Sequence, residues 1–354
     1  MSQTSLTGAF GFGPQSAKSV AGSTFYWYRA YNVDYGPVID ERPFPQEVGG
    51  VLTPTGAFRA GVFAAGGLDF TPRLFDDFAW ILSWLLGENP TTTIDNPVAT
   101  VNRHRWVLDG SEDTLFWGTV RTITPGTVDL GIQSLDNKST MLRLAIPQAG
   151  LVQARLDLVG RLFNLVTDTV LYESPPWTTD FEDFGSVPIS AKGGVIVTGL
   201  NGGAEIPLTN MVVDFSNAVT TPQQEMVIGS YNPEDYVPVA KTVTYRGTMK
   251  WSNPDDYQRI FGGSATAAVW TDKVFESAAT VEMQAPGNIL ATTTPYELEI
   301  TSPNCVWQMG TPRLAGANII MVDLVGTAIK KAGANFVQVD LFTESADGGY
   351  AWPT

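Results

Sequence analysis

The chain has one histidine, His104, set between Arg103 and Arg105 in a stretch that reads as a strand. One imidazole cannot build a His-rich metal site. A Ser-His-Asp arrangement would rest on it alone, with no Gly-x-Ser-x-Gly elbow to present the serine. A surface or interface histidine is the expectation. Carboxylates are numerous enough for a paired-acid hydrolase, and Asp76-Asp77 and Asp255-Asp256 are the clearest pairs. Both open stretches that read as helices, where the positive end of the helix dipole favours negative charge, so a structural role accounts for them. Gly199-Leu200-Asn201-Gly202-Gly203 lacks a following Gly-Lys-Ser/Thr and precedes no helix, which makes it a turn rather than a phosphate cradle. The single cysteine, Cys305, excludes an intrachain disulfide and a Cys-pair zinc site, and reads as a small buried apolar side chain. These residues predict no catalytic centre, no metal and no cofactor.

Charge narrows the partners. The 354 residues carry a net charge of −15, which arises from few basic residues rather than from acidic blocks. The basic residues are dispersed and do not interleave with the abundant Trp, Tyr and Phe, so there is no stacking platform for single strands. Such a surface grips polyanions poorly but is compatible with nucleic acid that passes without being held. The longest apolar run, Phe78 to Leu86, is too short to span a bilayer, so no membrane insertion is expected.

The elements that could position any site are mostly strands. Gly, Pro, Thr and Val are plentiful, and many short runs alternate apolar with polar residues between turn signals. Strands are expected at Ala57–Leu68, His104–Leu108, Thr114–Ile123, Thr127–Leu135, Thr140–Ile146 and Leu151–Val159, with a turn at Asp136-Asn137 and a Thr-rich loop at Thr91–Asn96. Later strands are expected at Val195–Thr198, Met211–Phe215, Glu225–Ile228, Val239–Trp251, Ala267–Trp270, Ala279–Gln284, Tyr296–Thr301, Cys305–Gly310, Ala317–Val325 and Asn335–Phe342. One long helix stands out, from Pro72 to Gly87, with Phe78, Ile81, Leu82 and Leu85 on one face and Trp80 and Trp84 on another. A helix apolar nearly all round must be covered on most sides. A neighbouring subunit is the expected second cover, which makes Phe78, Trp80, Ile81, Trp84 and Leu85 the candidate subunit interface. Residues 1–48 look extended, and their aromatics (Phe10, Phe12, Phe25 to Tyr28) suggest an association arm.

The helix has a shorter echo at Trp251 to Gly263, again with Pro, Asp-Asp and an aromatic at its start. Two further marks recur in the same order. Phe58-Arg59-Ala60-Gly61 precedes the first helix as Tyr245-Arg246-Gly247-Thr248 precedes the second, and Asp157-Leu158-Val159-Gly160 matches Asp323-Leu324-Val325-Gly326 letter for letter. The pattern predicts a duplicated β unit with one flanking helix: a first domain over 1–171, a linker or extended loop over 172–187, and a second domain over 188–354. A duplicated β unit suits a closed ring, which removes open sheet edges, and three copies would give a pseudo-sixfold ring.

The Gly-rich strand Phe58 to Leu68, the acidic start of an apolar helix over Phe75 to Gly87, and a β meander ending in Leu156 to Arg161 together resemble the major tail tube proteins of long-tailed (siphophage-type) bacteriophages. The second half, through Tyr245 to Gly263 and Glu297 to Val325, looks like the same unit again. The resemblance implies two tandem β-sandwich or barrel domains, each with a flanking helix, that close into rings and stack into a tube. It implies a virion protein assembled in the bacterial cytoplasm. Its partners would be its own copies, a tape measure protein and other tail proteins, and double-stranded DNA in transit through an acidic lumen. Other ring-forming tail parts, such as completion or baseplate rings, share that logic. A carbohydrate-binding β module is the reading that the Trp and Tyr content suggests instead.

Overall fold

The computed structural model describes residues 9–45, 53, 56–94, 101–110, 114–124, 130–166, 186–190, 192–251, 253–272, 274–289, 292–312, 319–344, 350 and 352–353. The protein is mainly β, as expected. The first half contains β1 (Ala9–Pro14), β2 (Tyr26–Tyr28), β3 (Asn32–Val33), β4 (Gly36–Pro43), β5 (Ala57–Phe70), helix α1 (Asp76–Leu86), β6 (Thr91–Ile94), β7 (Asn102–Leu108), β8 (Gly118–Thr124), β9 (Leu130–Pro147) and β10 (Gln153–Val166). The second contains β11 (Val195–Val197), β12 (Leu208–Val219), β13 (Pro238–Lys250), helix α2 (Pro254–Gly262), β14 (Phe275–Asn288), β15 (Pro295–Met309), β16 (Met321–Ala328) and β17 (Val337–Thr343). Among the described residues no helix is long and apolar enough to cross a membrane.

The two halves share one antiparallel order. In the first, the strands run β1-β8-β9-β10-β5-β4. In the second they run β11-β14-β15-β16-β13-β12. The Asp-Leu-Val-Gly marks fall on β10 and β16, which hold the same place in the two sets. The Arg marks do not correspond: Phe58 to Gly61 pairs only with β4, whereas Tyr245 to Thr248 lies between β12 and β16, the place that Ala64 to Gly67 takes in β5.

The structure joins what the sequence pattern divides. Asp136-Asn137 is not a turn between two strands but part of a β-bulge inside the continuous β9, with Asp136 in the left-handed region at φ 57°. Here Gly118 and Val120 on β8 face Asn137 and Ser134. The second half repeats the device: Ser277 and Ala279 on β14 face Cys305 and Ser302 within a continuous β15. A bulge adds one residue to one strand and sharpens its twist without ending it. The Thr-rich loop is the edge strand β6, while Glu225–Ile228 and Ala267–Trp270 are not strands. Most of the break at 172–187 lies outside the described residues.

Helix α1 forms where the apolar periodicity places it and stops at Gly87, whose left-handed φ of 68° lets its N–H reach the Ser83 carbonyl. The side chains of Asp76 and Asp77 lie outside the described residues. Trp84 is fully buried, stacked on Phe12 at 5.4 Å and on Trp352 at 5.8 Å, and its Nε1 donates to the Phe116 and Asn137 carbonyls. Trp80 stacks on Tyr26 at 5.1 Å and meets Tyr350 and Trp352 edge-on. The N-terminal aromatics are therefore core, not an association arm: Phe10 and Phe12 are buried on β1, which pairs with β2 and β8. The second half closes over the helix end. Asn217 of β12 donates to the Leu85 carbonyl at 2.6 Å, and Lys241 of β13 donates to that of Leu86 at 3.0 Å. These satisfy carbonyls the helix itself leaves unpaired. One apolar cluster runs through both halves. Trp84→Ala is expected to lower the stability of the isolated chain by about 3–5 kcal/mol in denaturant titration.

Candidate assembly interface

The two halves are joined edge to edge. β9 uses Met141–Pro147 to pair antiparallel with Ser216–Asn210 of β12. This makes one continuous sheet in the order β4-β5-β10-β9-β12-β13-β16-β15, with four strands from each half. A second junction pairs β7 with β17, from Asn102↔Thr343 to Leu108↔Val337. Each junction carries a charged clip. Arg143 Nε lies 2.7 Å from Asp214 Oδ1, and Arg105 bonds both oxygens of Asp340 at 2.6 and 2.7 Å. The carboxylates are the sheltered partners, with side chains 9% and 3% exposed, and the arginines lie nearer the surface. Bidentate pairing of this kind fixes strand register as well as contributing energy.

The join is head to tail. The first half gives the edge of β9; the second half receives it on β12. The counterpart of β12 in the first half is β4, and among the described residues β4 pairs only with β5. Among these residues nothing pairs with its outer edge, and Val38 and Ile39 are exposed on it. Alternation along the continuous sheet puts Leu142, Leu144, Leu156, Leu158, Val213, Phe215, Val243, Tyr245, Val322 and Leu324 on the core side. The opposite face carries Arg143, Arg155, Asp157, Asp214, Arg246 and Asp323, with Asp69 at its β5 end. Arg155 is held by Asp34, Asp69 and Asp157 at 2.8, 3.1 and 2.9 Å.

The residues expected from the sequence to meet a neighbouring subunit are core residues of the chain. Phe78, Trp80, Ile81, Trp84 and Leu85 are all buried within the single chain, none more than 8% exposed. Their second cover comes from the C-terminal residues Tyr350 and Trp352 and from the chain's own second half, so no apolar face of α1 is left for another subunit. The open edge of β4 gave no motif to read. Its signal is relational: the same strand in the other half is covered.

Neither a protein-family model nor a curated protein matches this sequence.

His104 and Asp256 are held by hydrogen bonds inside the fold. His104 is buried rather than at a surface; it sits between β6 and β17, with Nδ1 2.9 Å from the Thr92 hydroxyl and Nε2 3.3 Å from that of Thr343. Asp256 is buried and accepts the backbone N–H of Asn201 at 2.9 Å, while Asn253 caps α2 through the N–H of Asp255. Gly199–Gly203 forms turns and a short 3-10 segment, as expected. Among the described residues no group of three or more His, Cys, Asp or Glu could hold a metal ion. Burial pushes the Cys305 thiol up to about 12. Burial likewise raises the hydroxyls of Tyr35, Tyr236 and Tyr245 above the ordinary phenol range. All four keep their protons more tightly folded than unfolded. Their contribution is complete below the unfolded values of 9.0 for the thiol and 10.0 for the phenols, and is lost as pH rises through and beyond them. The denaturant midpoint should therefore fall between pH 8 and pH 10.5, and alkylation of Cys305 should track unfolding. A flat midpoint, or rapid labelling of folded protein, would contradict this.

Proposed function

We propose that this protein is the subunit of a tubular structural assembly, a phage tail tube, in which copies close into rings through their sheet edges and the rings stack. The observation that carries the reading is the duplicated strand set joined head to tail, with β4 left open where its counterpart β12 is covered. A heterologous contact that repeats closes into a ring or runs on as a filament. A chain that already contains one such contact, between its halves, presents the beginning of the next. The sequence resemblance to tail tube proteins points the same way.

The size of the closed ring follows from the sheet. Two copies would contribute about 16 strands, which gives a pore of porin width; three would contribute about 24. At a strand spacing of ~4.8 Å and a tilt near 40°, about 24 strands enclose a bore on the order of 40 Å once side chains are allowed for. That admits a hydrated duplex, and it agrees with three copies. The bare face of the sheet belongs inside. The other face carries helices and further strands, and a thick layer fits only at the larger radius.

The chemistry of the bare face suits passage without binding. Duplex DNA is gripped by cations that replace its counterions. Here Arg143 is engaged by Asp214, and Arg155 by three aspartates, which leaves Arg246 as the arginine of this face with no carboxylate partner among the described residues. The net charge of −15 adds a general repulsion. Ring-forming completion or baseplate proteins would use the same join without long stacking.

Two measurements test the proposal. Negative-stain electron microscopy of the purified protein across concentrations should show hollow tubes of uniform width. Val38→Lys, which sets a charge on the open edge of β4, should leave the circular dichroism and monomer stability unchanged while abolishing tubes. Tubes from the Lys variant at the wild-type concentration would refute closure through β4. Single rings that never stack would assign the protein to the shorter ring structures.

A further inference from the structure

The join inside the chain is a template with a readable register. Phe215 of β12 lies opposite Leu142 of β9, and Asp214 opposite Arg143. Both strands have counterparts, and the Asp-Leu-Val-Gly marks align them. Gly160 pairs with Ala64 of β5 and Gly326 with Tyr245 of β13, and these two pair in turn with Pro37 of β4 and Val213 of β12. Ile39 therefore corresponds to Phe215, and Val38 to Asp214. On the other side of the marks, Asp157 pairs with Met141 of β9. The carbonyl of Asp323 accepts the N–H of Gly310 at 2.7 Å, next to the Leu324↔Met309 pair, so the ladder carries on past the end of β15. Gly310 thus corresponds to Met141, Thr311 to Leu142 and Pro312 to Arg143.

The backbone groups at these positions point where a partner strand would need them. Along a strand, successive residues turn their N–H and C=O groups to alternate sides. The N–H of Gly310 goes to β16, which turns that of Thr311 the other way. Here β9 lies between β10 and β12, and β15 has β16 in the place of β10, so Thr311 points toward the place that β12 takes. Thr311 is exposed. On β5 the N–H of Val62 goes to the Tyr231 carbonyl at 2.8 Å, away from β4. Its partner Ile39 therefore turns its own N–H and C=O away from β5, onto the outer edge of β4. Ile39 precedes the bulge at Asp40/Glu41, so the count from Gly36 to Ile39 is unbroken. Proline at 312 takes no donor from a partner strand, because an N–H at that position would face β16.

We propose that the edge of β4 in one chain pairs antiparallel with the end of β15 in a second copy, with Ile39 opposite Thr311 and Val38 opposite Pro312. This rests on the ring reading and adds the partner strand and its register. One continuous sheet then runs from β15 of each chain into β4 of the next. The template also marks where the two joins differ. Arg143 and Asp214 clip β9 to β12 at 2.7 Å, whereas Pro312 and Val38 at the corresponding positions carry no charge. The join between chains lacks the pin that the join within the chain has, and installing one should strengthen it.

The test uses the full chain. In this register Val38 and Pro312 form a pair whose Cα atoms lie about 4.5 Å apart, within reach of a disulfide. Mild oxidation of assembled Val38→Cys/Pro312→Cys should give a ladder of covalent oligomers on a denaturing gel. Each single variant should stay monomeric, and so should Val38→Cys/Thr311→Cys, whose thiols lie on opposite faces; Cys305 is buried and takes no part. Val38→Asp alone should raise the concentration needed for ring formation at least about tenfold, because its carboxylate meets no partner. Adding Pro312→Arg should bring that concentration back to the wild-type value or below, with monomer stability unchanged throughout. Rings of Val38→Cys/Pro312→Cys that give no ladder, or no rescue of Val38→Asp by Pro312→Arg, would overturn this register and leave the ring standing. A ladder from Val38→Cys/Thr311→Cys instead would shift the register by one residue and also overturn it. Absence of rings from the wild-type protein under every condition would overturn both readings.

Discussion

An antiparallel sheet ends in rows of unpaired N–H and C=O groups, and the placement of everything else in this protein follows from how those rows are satisfied. Inside the chain two such edges are closed by the other half, β9 onto β12 and β7 onto β17. Both closures are pinned by an arginine on a first-half strand and a sheltered aspartate on a second-half strand. An aspartate taken out of water is costly unless it is paired, so each clip penalises any register but its own. The result is that two β units of one design share a single apolar core. Their duplication is visible in strand order while their boundary is erased in packing.

The same constraint accounts for the divergence of the two helices. α1 lies beneath a junction inside the chain, covered by Phe12, Tyr26, Trp352 and the second half, and it is apolar nearly all round. α2 lies at the end of the second half, buries Asp256 and Ile260 on one side, and keeps Gln258 and Arg259 on the other. A helix with one side in water cannot be as apolar as one covered on all sides. The expectation of a neighbouring subunit over Trp80 and Trp84 went wrong on this point alone. The cover these two residues require comes from the same chain: Phe12 and Tyr26 of the first half, and Tyr350 and Trp352 near the C-terminus.

What the sequence made legible follows from the range of each signal. Helical periodicity and its stop at Gly87 are local, and α1 and α2 fall where the residues put them. Strand alternation is local too, and most strands were placed. The bulges were not. Asp136-Asn137 and Ser302-Pro303-Asn304 carry turn chemistry, yet the chain continues past them because paired strands run across the break, β8 and β10 along β9 and β14 along β15. Turn propensity yielded to tertiary pairing, in both halves at the corresponding place. The Asp-Leu-Val-Gly match located two truly corresponding strands, whereas the Arg marks matched by letters alone. The open edge of β4 was beyond reach, because an edge is defined by what is missing beside it.

An open edge is also a hazard, and β4 is built to limit it. Pro37 and Pro43 remove two donors from the strand, a bulge at Asp40/Glu41 breaks its register, and its outer part is charged, with Arg42 on Asp40 and Arg59 of β5 near Glu41. These devices discourage a generic strand from adding on. The short apolar stretch Val38-Ile39 between them remains available, flanked by groups that a partner must match. Free pairing would give irregular aggregates, whereas a uniform ring requires one partner in one register. A strand edge that is interrupted, charged and backed by an exposed aromatic pair satisfies that requirement better than a long flat one, because backbone pairing alone is not enough to hold a wrong partner.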